Sequence, residues 1–390
     1  MRDDARRLGG HAPGLAVAVV VLVLVAAGLL LVFVPLRPQW WVTRTAVSGQ
    51  SLLLAVPAAA VAVAATVTAV RSAGRPRAAW GVVGVLALAA TCLAAVPAAA
   101  QARLAAREGV DVDWSAYLDG SAASAGRAPD LTTTYAMPAG SSLEADLYLP
   151  DGAAGRRPGV VLVHGGAWTS GSRSALPRWD AALVGAGAVV MDVEYRLGGP
   201  DLWRAQPADV ACAVGWLAAR AARFGVDPAR ISVVGQSAGG QAALLAGWSP
   251  DVTPSCDVPR VRPWRVVAVA APTDLRALDR TRTPDRVAAF GDVRALTGGA
   301  PSDVPQVFAA ASPVTFAGHR GPATLLVHGR SDEVVPVAQA RAFAAATRAG
   351  GGDVRLVEVP YADHAFDVAW GAPGTQLTRA LVTGFVAGPL

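Results

Sequence analysis

Ser237 sits in Gly235-Gln236-Ser237-Ala238-Gly239, directly after the apolar run Ile231–Gly235 and before a helical pattern. A serine at a strand-to-helix turn has what a nucleophile needs. The turn strains the backbone, small neighbours permit close approach, and the helix N-terminus behind it favours developing negative charge. A G-x-S-x-G alone is a weak signal in a chain this rich in glycine and alanine. Between a strand and a helix the balance tips toward a nucleophile.

A serine hydroxyl needs a base, and the base needs an orienting acid. The chain has five histidines. His11 precedes the apolar N-terminal part, His164 and His328 end strands and each precede a glycine, and His319 lies in an irregular segment. His364, in PYADHAF after the last predicted strand, is the candidate base. Asp332, in LLVHGRSDEVVP, is the candidate acid, with Glu333 as its rival. Asp363 and Asp367 flank the histidine and read as loop caps or solvent-facing groups. Acyl transfer also needs N–H donors for the oxyanion it builds. VVLVHGGAW ends a strand and enters a glycine turn, where the amides of Gly166 and Ala167 can point inward. The amide of Ala238, just after the serine, completes the set.

These groups need a scaffold, and the second part of the chain supplies one. SSLEADLYLP, PGVVLVH, GAVVMDVEY, ISVVG, WRVVAVAA, ATLLVHG and DVRLVEVP read as strands. Helical spacing separates them at Ala205–Phe224, after Ser237, at VPVAQARAFAAATRAG and at Thr375–Val386. Leu275–Ser312 is irregular and is expected to hold inserted helices. The fold class is α/β, a mostly parallel sheet covered by helices on both faces.

The first hundred residues differ in kind. Hydrophobic residues make up 53% of the 390-residue chain and charged residues only 16%, and the apolar excess is concentrated there, as membrane segments require. Leu15–Pro35 is an uncharged run of about 21 residues, long enough to span hydrocarbon and long for a signal peptide. Ala46–Val70 and Ala78–Ala100 are similar, so three transmembrane helices are expected. Trp40 and Trp41 suit an interfacial aromatic belt. Arg2, Arg6, Arg7, Arg71, Arg75 and Arg77 share one side, against Arg37, Arg44, Arg103 and Arg107 on the other. Six against four favours a cytoplasmic N-terminus and an extracytoplasmic remainder. Residues 101–130 read as a turn-rich linker between the membrane region (1–100) and a catalytic domain (131–390).

Composition excludes other classes. The net charge of +5 is spread without a basic run, so no nucleic-acid partner is expected. The three cysteines form no C-x-x-C pair, which argues against a thiolate zinc site. Cys212 and Cys256 can pair in an oxidising compartment; two unrelated thiols is an equal reading.

HGGAW, GQSAGG, HGRSDEVVP and YADHAF together resemble the α/β-hydrolase superfamily. Within it they look like the esterase/lipase branch with an H-G-G-x oxyanion motif, the hormone-sensitive-lipase-like and feruloyl-esterase-like carboxylesterases. The resemblance covers about Asp130 to Leu390. It implies an α/β-hydrolase fold with Ser237 as nucleophile, His364 as base and then acid, and Asp332 as its orienter. The chain order Ser, Asp, His is the one that fold uses. Gly166, Ala167 and Ala238 would donate to the oxyanion. The third glycine of the commoner H-G-G-G form is Ala167 here, which keeps the backbone donor and narrows the acyl pocket. MDVEYRL and PADVACAVGWL look like supporting elements, so Asp192, Glu194 and Asp209 read as structural. No metal or organic cofactor is implied. The implied substrate is a small-molecule or lipid-like ester, with the bilayer as partner. A serine peptidase or acyltransferase of the same fold would share the triad. A non-catalytic membrane protein with a degenerate hydrolase domain is opposed by the complete set of residues. Trp168, Trp203 and Leu275–Ser312 are expected to shape the pocket.

Overall fold

The computed structural model describes residues 2–34, 41–119, 126–152, 155–199 and 202–388. Its strands are β1 (Leu131–Ala136), β2 (Leu143–Tyr148), β3 (Arg157–Val163), β4 (Val189–Val193), β5 (Val226–Gln236), β6 (Arg265–Val269), β7 (Ala323–Gly329) and β8 (Val354–Val359). They form one sheet in the order β1-β2-β4-β3-β5-β6-β7-β8. β1 and β2 pair antiparallel, and β4 through β8 run parallel. The parallel strands are buried on both faces, which is why they read as continuous Val/Leu runs. β1, LTTTYA, is a half-exposed edge strand whose threonines hid it among loop residues.

The helices are α1 (Arg2–Phe33), α2 (Trp41–Gly49), α3 (Ser51–Arg71), α4 (Arg75–Arg107), α5 (Trp114–Asp119), α6 (Pro177–Gly185), α7 (Leu202–Ala219), α8 (Ala238–Trp248), α9 (Ala338–Ala349) and α10 (Pro373–Ala387), with shorter turns between them. One sheet face packs residues of α7, α8 and α9, such as Leu217, Leu244 and Phe343. The other packs α6, α10 and the end of α4, through Leu183, Leu377 and Ala105. After β3 the chain moves to β4 on one side and then crosses to β5 on the other. Loops leaving β3 and β5 therefore part at the carboxyl edge and leave a crevice, the usual ligand position in such sheets. His164–Ala167 leave β3 and Ser237 leaves β5.

Three segments are long and apolar enough to cross a membrane: Pro13–Phe33, Ser51–Arg71 and Pro76–Arg107. Small residues let them approach closely. Ala58, Ala65, Ala87 and Ala94 are fully buried between them, while Leu24, Val63 and Val85 face outward. Two boundaries differ from the sequence reading. The second apolar run starts at Ser51, because α2 is a separate helix turned at Gln50. α4 continues past residue 100 to Arg107, and Gln101 is buried against the segment after β8. There it donates to the Pro360 carbonyl and accepts the Gly374 N–H, each at 3.0 Å. Tyr117 on α5 accepts the Leu52 N–H at 3.0 Å. Much of the expected linker is thus docked on its neighbours. Pro35, Arg37, Trp40 and residues 120–125 lie outside the described residues, as do the side chains of Trp41, Arg75 and residues 1–12, which carry Arg2, Arg6, Arg7 and His11.

Candidate active site

Ser237 follows the last residue of β5 and has φ +51° and ψ −120°, a conformation that costs an L-residue energy. Its N–H is held by the Val269 carbonyl at 2.8 Å. Gly239 must be glycine for a steric reason: a Cβ there would stand 2.2 Å from the His164 carbonyl oxygen. The turn after β3 therefore presses on the turn after β5. In that first turn Gly166 (φ +128°), Ala167 (φ +51°) and Trp168 (φ +66°) are consecutive left-handed residues, and a Cβ on Gly166 would overlap the Ser170 carbonyl. The turn is fixed by Trp168 Nε1, which donates to Gln241 Oε1 at 2.5 Å, and by Tyr195, which donates to the His164 carbonyl at 2.8 Å.

The structure brings Ser237, His364 and Asp332 into one hydrogen-bonded line. Ser237 Oγ lies 3.0 Å from His364 Nε2, and His364 Nδ1 lies 2.9 Å from Asp332 Oδ2. The carboxylate fixes the tautomer: Nδ1 carries the proton, and Nε2 offers its lone pair to the serine hydroxyl. Asp332 Oδ1 accepts the N–H groups of Val334 and Val335 at 2.9 and 2.7 Å. Burial alone would raise this carboxyl; the His364 charge and hydrogen bonds from His328 and His364 overcome it and hold Asp332 well below the usual range. Burial alone would lower His364; the Asp332 charge and hydrogen bond, then Asp363 and Asp367, raise it above the ordinary imidazole value. Glu333, the rival acid, points away and lies 3.4 Å from Arg44.

Gly166, Ala167 and Ala238 join Ser237 and His364 in lining a cavity of about 730 Å³. Its other walls come from the inserted helices, including Leu278, Val287 and Val293, and from Val368 beyond the histidine. Trp168 lines this cavity. Trp203 does not: it packs behind, with Leu275 and Phe308.

Among the carboxylates beside the histidine, Asp363 keeps only its loop-cap reading and Asp367 departs from the solvent-facing one. Asp363 and Asp367 do not face solvent; their exposures are 0% and 5%. Asp363 does cap a loop, accepting the N–H groups of Glu333 and His364 at 3.0 and 2.7 Å. Burial pushes its carboxyl up to about 6, against the pull of those bonds and of Arg44. Asp367 accepts Trp179 Nε1–H and Gln236 Nε2–H, each at 2.7 Å, so it ties the histidine loop to the serine turn. Glu194 and Asp209 are structural, paired with Arg173 and Arg196. Asp192 is buried beside Asp180 with neither oxygen hydrogen-bonded; burial, then the charges of Asp180 and Asp146, raises it well above its ordinary value. His328 was passed over because it ends a strand. Its Nε2–H is shared between the Val335 carbonyl at 2.7 Å and Asp332 Oδ2 at 3.3 Å, and the His328/Asp332 spacing in HGRSD was the signal for it. Arg44 and Thr45, described below, carried no signal.

The sequence profile of the BD-FAE family matches residues 145–347, just over half the chain. The chain is 34% identical to esterase LipQ of Mycobacterium tuberculosis over 233 residues, covering 56% of this chain and 53% of that protein. To esterase LipC of the same organism it is 34% identical, covering 55% and 54%. It thus spans about half the length of these relatives. Among solved structures, butyrate-bound esterase 2 of Thermogutta terrifontis superposes with a TM-score of 0.54 at 25% identity, over 67% of this chain and 96% of that one.

Proposed function

Because the chain belongs to the BD-FAE family, within the esterase/lipase branch of the α/β-hydrolase superfamily, we propose that it is a membrane-anchored serine hydrolase that cleaves carboxylic esters through an acyl-serine intermediate. The observation that carries this reading is the line Ser237–His364–Asp332, whose first two members line the cavity, with Ser237 in a strained turn. In this reading His364 Nε2 takes the hydroxyl proton as Ser237 Oγ attacks the ester carbonyl. The N–H groups of Gly166, Ala167 and Ala238, which donate to no acceptor among the described residues, receive the oxyanion. Collapse breaks the acyl–alkoxy bond, and the departing alcohol takes the proton from His364. Water then repeats the sequence, releasing the acid and restoring Ser237. Asp332 stays ionised throughout and stabilises the imidazolium.

The substrate in this proposal is a small or lipid-like ester. The butyrate held by the Thermogutta esterase supports a short acyl group. The N-terminal helices are the bilayer anchor. Phe33, Gly49 and Gln101 all contact the catalytic part, while Gly14 packs beside Trp80 at the opposite end of the bundle. The N-terminus and the Arg71–Arg77 loop are therefore at the end away from the catalytic domain. The arginine bias makes that end cytoplasmic. Arg44 strengthens the bias, because it is buried against carboxylates rather than free to meet headgroups. The Cys212–Cys256 disulfide supports an extracytoplasmic catalytic domain.

The test is hydrolysis of p-nitrophenyl esters against aminoacyl amides by the full chain in detergent, with fluorophosphonate labelling. Ester turnover and labelling are both expected, and Ser237→Ala should lower kcat by about 10⁴-fold or more. Turnover near wild type in that variant would sink the assignment. Preference for amides would make the protein a peptidase.

A further inference from the structure

The loop that carries His364 is held from behind by the membrane region. His364 aims its ring at Ser237, and its backbone carbonyl points the other way. That carbonyl accepts a hydrogen bond from Thr45 Oγ1 on α2 at 3.0 Å, in a buried position. One residue earlier on α2, Arg44 is only 5% exposed. Its Nε lies 3.5 Å from Asp363 Oδ2 and its Nη1 lies 3.4 Å from Glu333 Oε1. These are ion-pair distances. Asp363 in turn uses Oδ1 to hold the N–H groups of both Glu333 and His364. Gly49, at the end of α2, approaches so closely that a Cβ would lie 2.4 Å from the Ala369 Cβ. Phe33, at the end of α1, meets the Tyr361 ring edge-on at 5.6 Å, and Gln101 on α4 grips Pro360 and Gly374. α1, α2 and α4 thus each touch residues 360–374.

The loop needs such support. Tyr361 and Ala365, on either side of the histidine, have φ of +56° and +49°. Two left-handed non-glycine residues are a cost that only outside contacts hold in place.

We propose that α2 of the anchor is part of the catalytic centre, with Arg44 and Thr45 as positioning residues that fix the His364 loop against Ser237. The inference rests on the reading of His364 as the base. Arg44 acts through Asp363. It supplies the cation that lets a buried carboxylate remain an acceptor for the two N–H groups. Thr45 acts on the carbonyl of His364 itself. The charged groups that face Asp363 are Arg44 from α2, Asp332 and Glu333 from the loop after β7, and His364 from its own loop; those that face His364 are Asp332, Asp363 and Asp367. Removing the Arg44 charge raises Asp363, because its carboxylate loses a nearby cation. A protonated Asp363 no longer serves both N–H groups as a charged acceptor, so the active form of the variant needs a higher pH.

The experiment compares full-chain wild type with Arg44→Met, Arg44→Lys, Thr45→Val and Thr45→Ser in detergent, on one soluble p-nitrophenyl ester. Arg44→Met should lower kcat by about 10–100-fold, the scale of a small misplacement of a reacting group, with KM within about twofold. Its acid limb should move to higher pH. Arg44→Lys should restore most of kcat. Thr45→Val should lose about 3–10-fold in kcat, and Thr45→Ser should recover it. Fluorophosphonate labelling of Ser237 should slow in the same order. Should Arg44→Met fail to fold, Thr45→Val, which removes one hydroxyl, carries the same test. An unchanged kcat and acid limb in the folded Arg44→Met, a change in KM alone, or equal loss in Arg44→Lys and Arg44→Met overturns the inference. Ser237→Ala in the same assay separates the two levels: if it stays active, the hydrolase reading itself has failed.

Discussion

Asp332→Asn tests how the site sets the histidine tautomer. The substitution is isosteric, and the surroundings dictate which way the new amide must face. Oδ1 of Asp332 accepts two backbone N–H groups, from Val334 at 2.9 Å and Val335 at 2.7 Å. The amide oxygen must take that position. Turning it round would put NH₂ against two N–H donors and forfeit both bonds, a cost of about 2–6 kcal/mol at 1–3 kcal/mol for each unsatisfied group. The NH₂ group therefore faces His364 Nδ1, and His328 keeps its shorter bond to the Val335 carbonyl at 2.7 Å. Nδ1 must then accept, which moves the imidazole proton to Nε2, 3.0 Å from Ser237 Oγ. A histidine protonated there cannot take the serine proton. The expected loss in kcat is about 10⁴-fold, near 5.4 kcal/mol, the magnitude of the corresponding change in serine proteases. The assay is p-nitrophenyl butyrate hydrolysis by the full chain, with thermal unfolding measured alongside to establish that the variant is folded. Glu333→Gln is the control, expected within a few-fold of wild type because Glu333 points to Arg44. An Asp332→Asn variant within tenfold of wild type would refute the tautomer argument. A large loss in Glu333→Gln with none in Asp332→Asn would transfer the acid role.

Two further outcomes concern stability. Asp180 is buried and its carboxyl is pushed up to about 8, by burial first and the Asp146 charge second. The folded chain keeps a proton that the unfolded chain releases near the ordinary value of 3.8, so stability should fall as pH rises from about 4 to 8. Asp180→Asn should flatten that slope and unfold at a higher temperature than wild type at pH 8; equal slopes in urea or thermal titrations would contradict the buried-proton account. The Cys212–Cys256 disulfide closes a sequence separation of 44 residues, and loop-closure entropy sets its contribution at about 4 kcal/mol. Replacing both cysteines by alanine should lower the urea midpoint accordingly, and an unchanged midpoint would mean that the bond constrains little in the unfolded chain.

The parallel strands and the site turns were legible because local chemistry specifies them. A strand buried on both faces has to be a short apolar run, and β7 is ATLLVHG in the sequence as in the structure. Ser237 was legible from its small neighbours, and His364 from its place after the last strand. What sequence could not reach was the direction in which polar side chains point. Asp363 and Asp367 look like loop caps or solvent groups, and most aspartates are exposed. They are buried because Glu333, His364, Trp179 and Gln236 bring N–H donors from four places in the chain. Trp203 follows the same logic: an aromatic near a pocket in sequence lies behind its wall in space. β1 was missed because its threonines pair with β2 along an exposed edge, where no apolar run is needed.

Arg44 is the sharpest case. In sequence it is one arginine between two apolar runs, indistinguishable from a loop charge that meets lipid headgroups. Its true partners, Glu333 and Asp363, lie 289 and 319 residues away, and Thr45 and His364 are also 319 apart. No periodicity or motif spans that distance. The physics still makes a demand that sequence alone cannot place: a buried arginine requires a carboxylate, and a buried Asp363 requires a cation. Each answers the other only once α2 is docked. An anchor serving merely as a tether would leave Arg44 in water and the loop 360–374 to hold its own left-handed residues. Here α2 and the loop 360–374 bury complementary charges in each other, so taking α2 away would expose the back of the His364 loop and not just free a point of attachment.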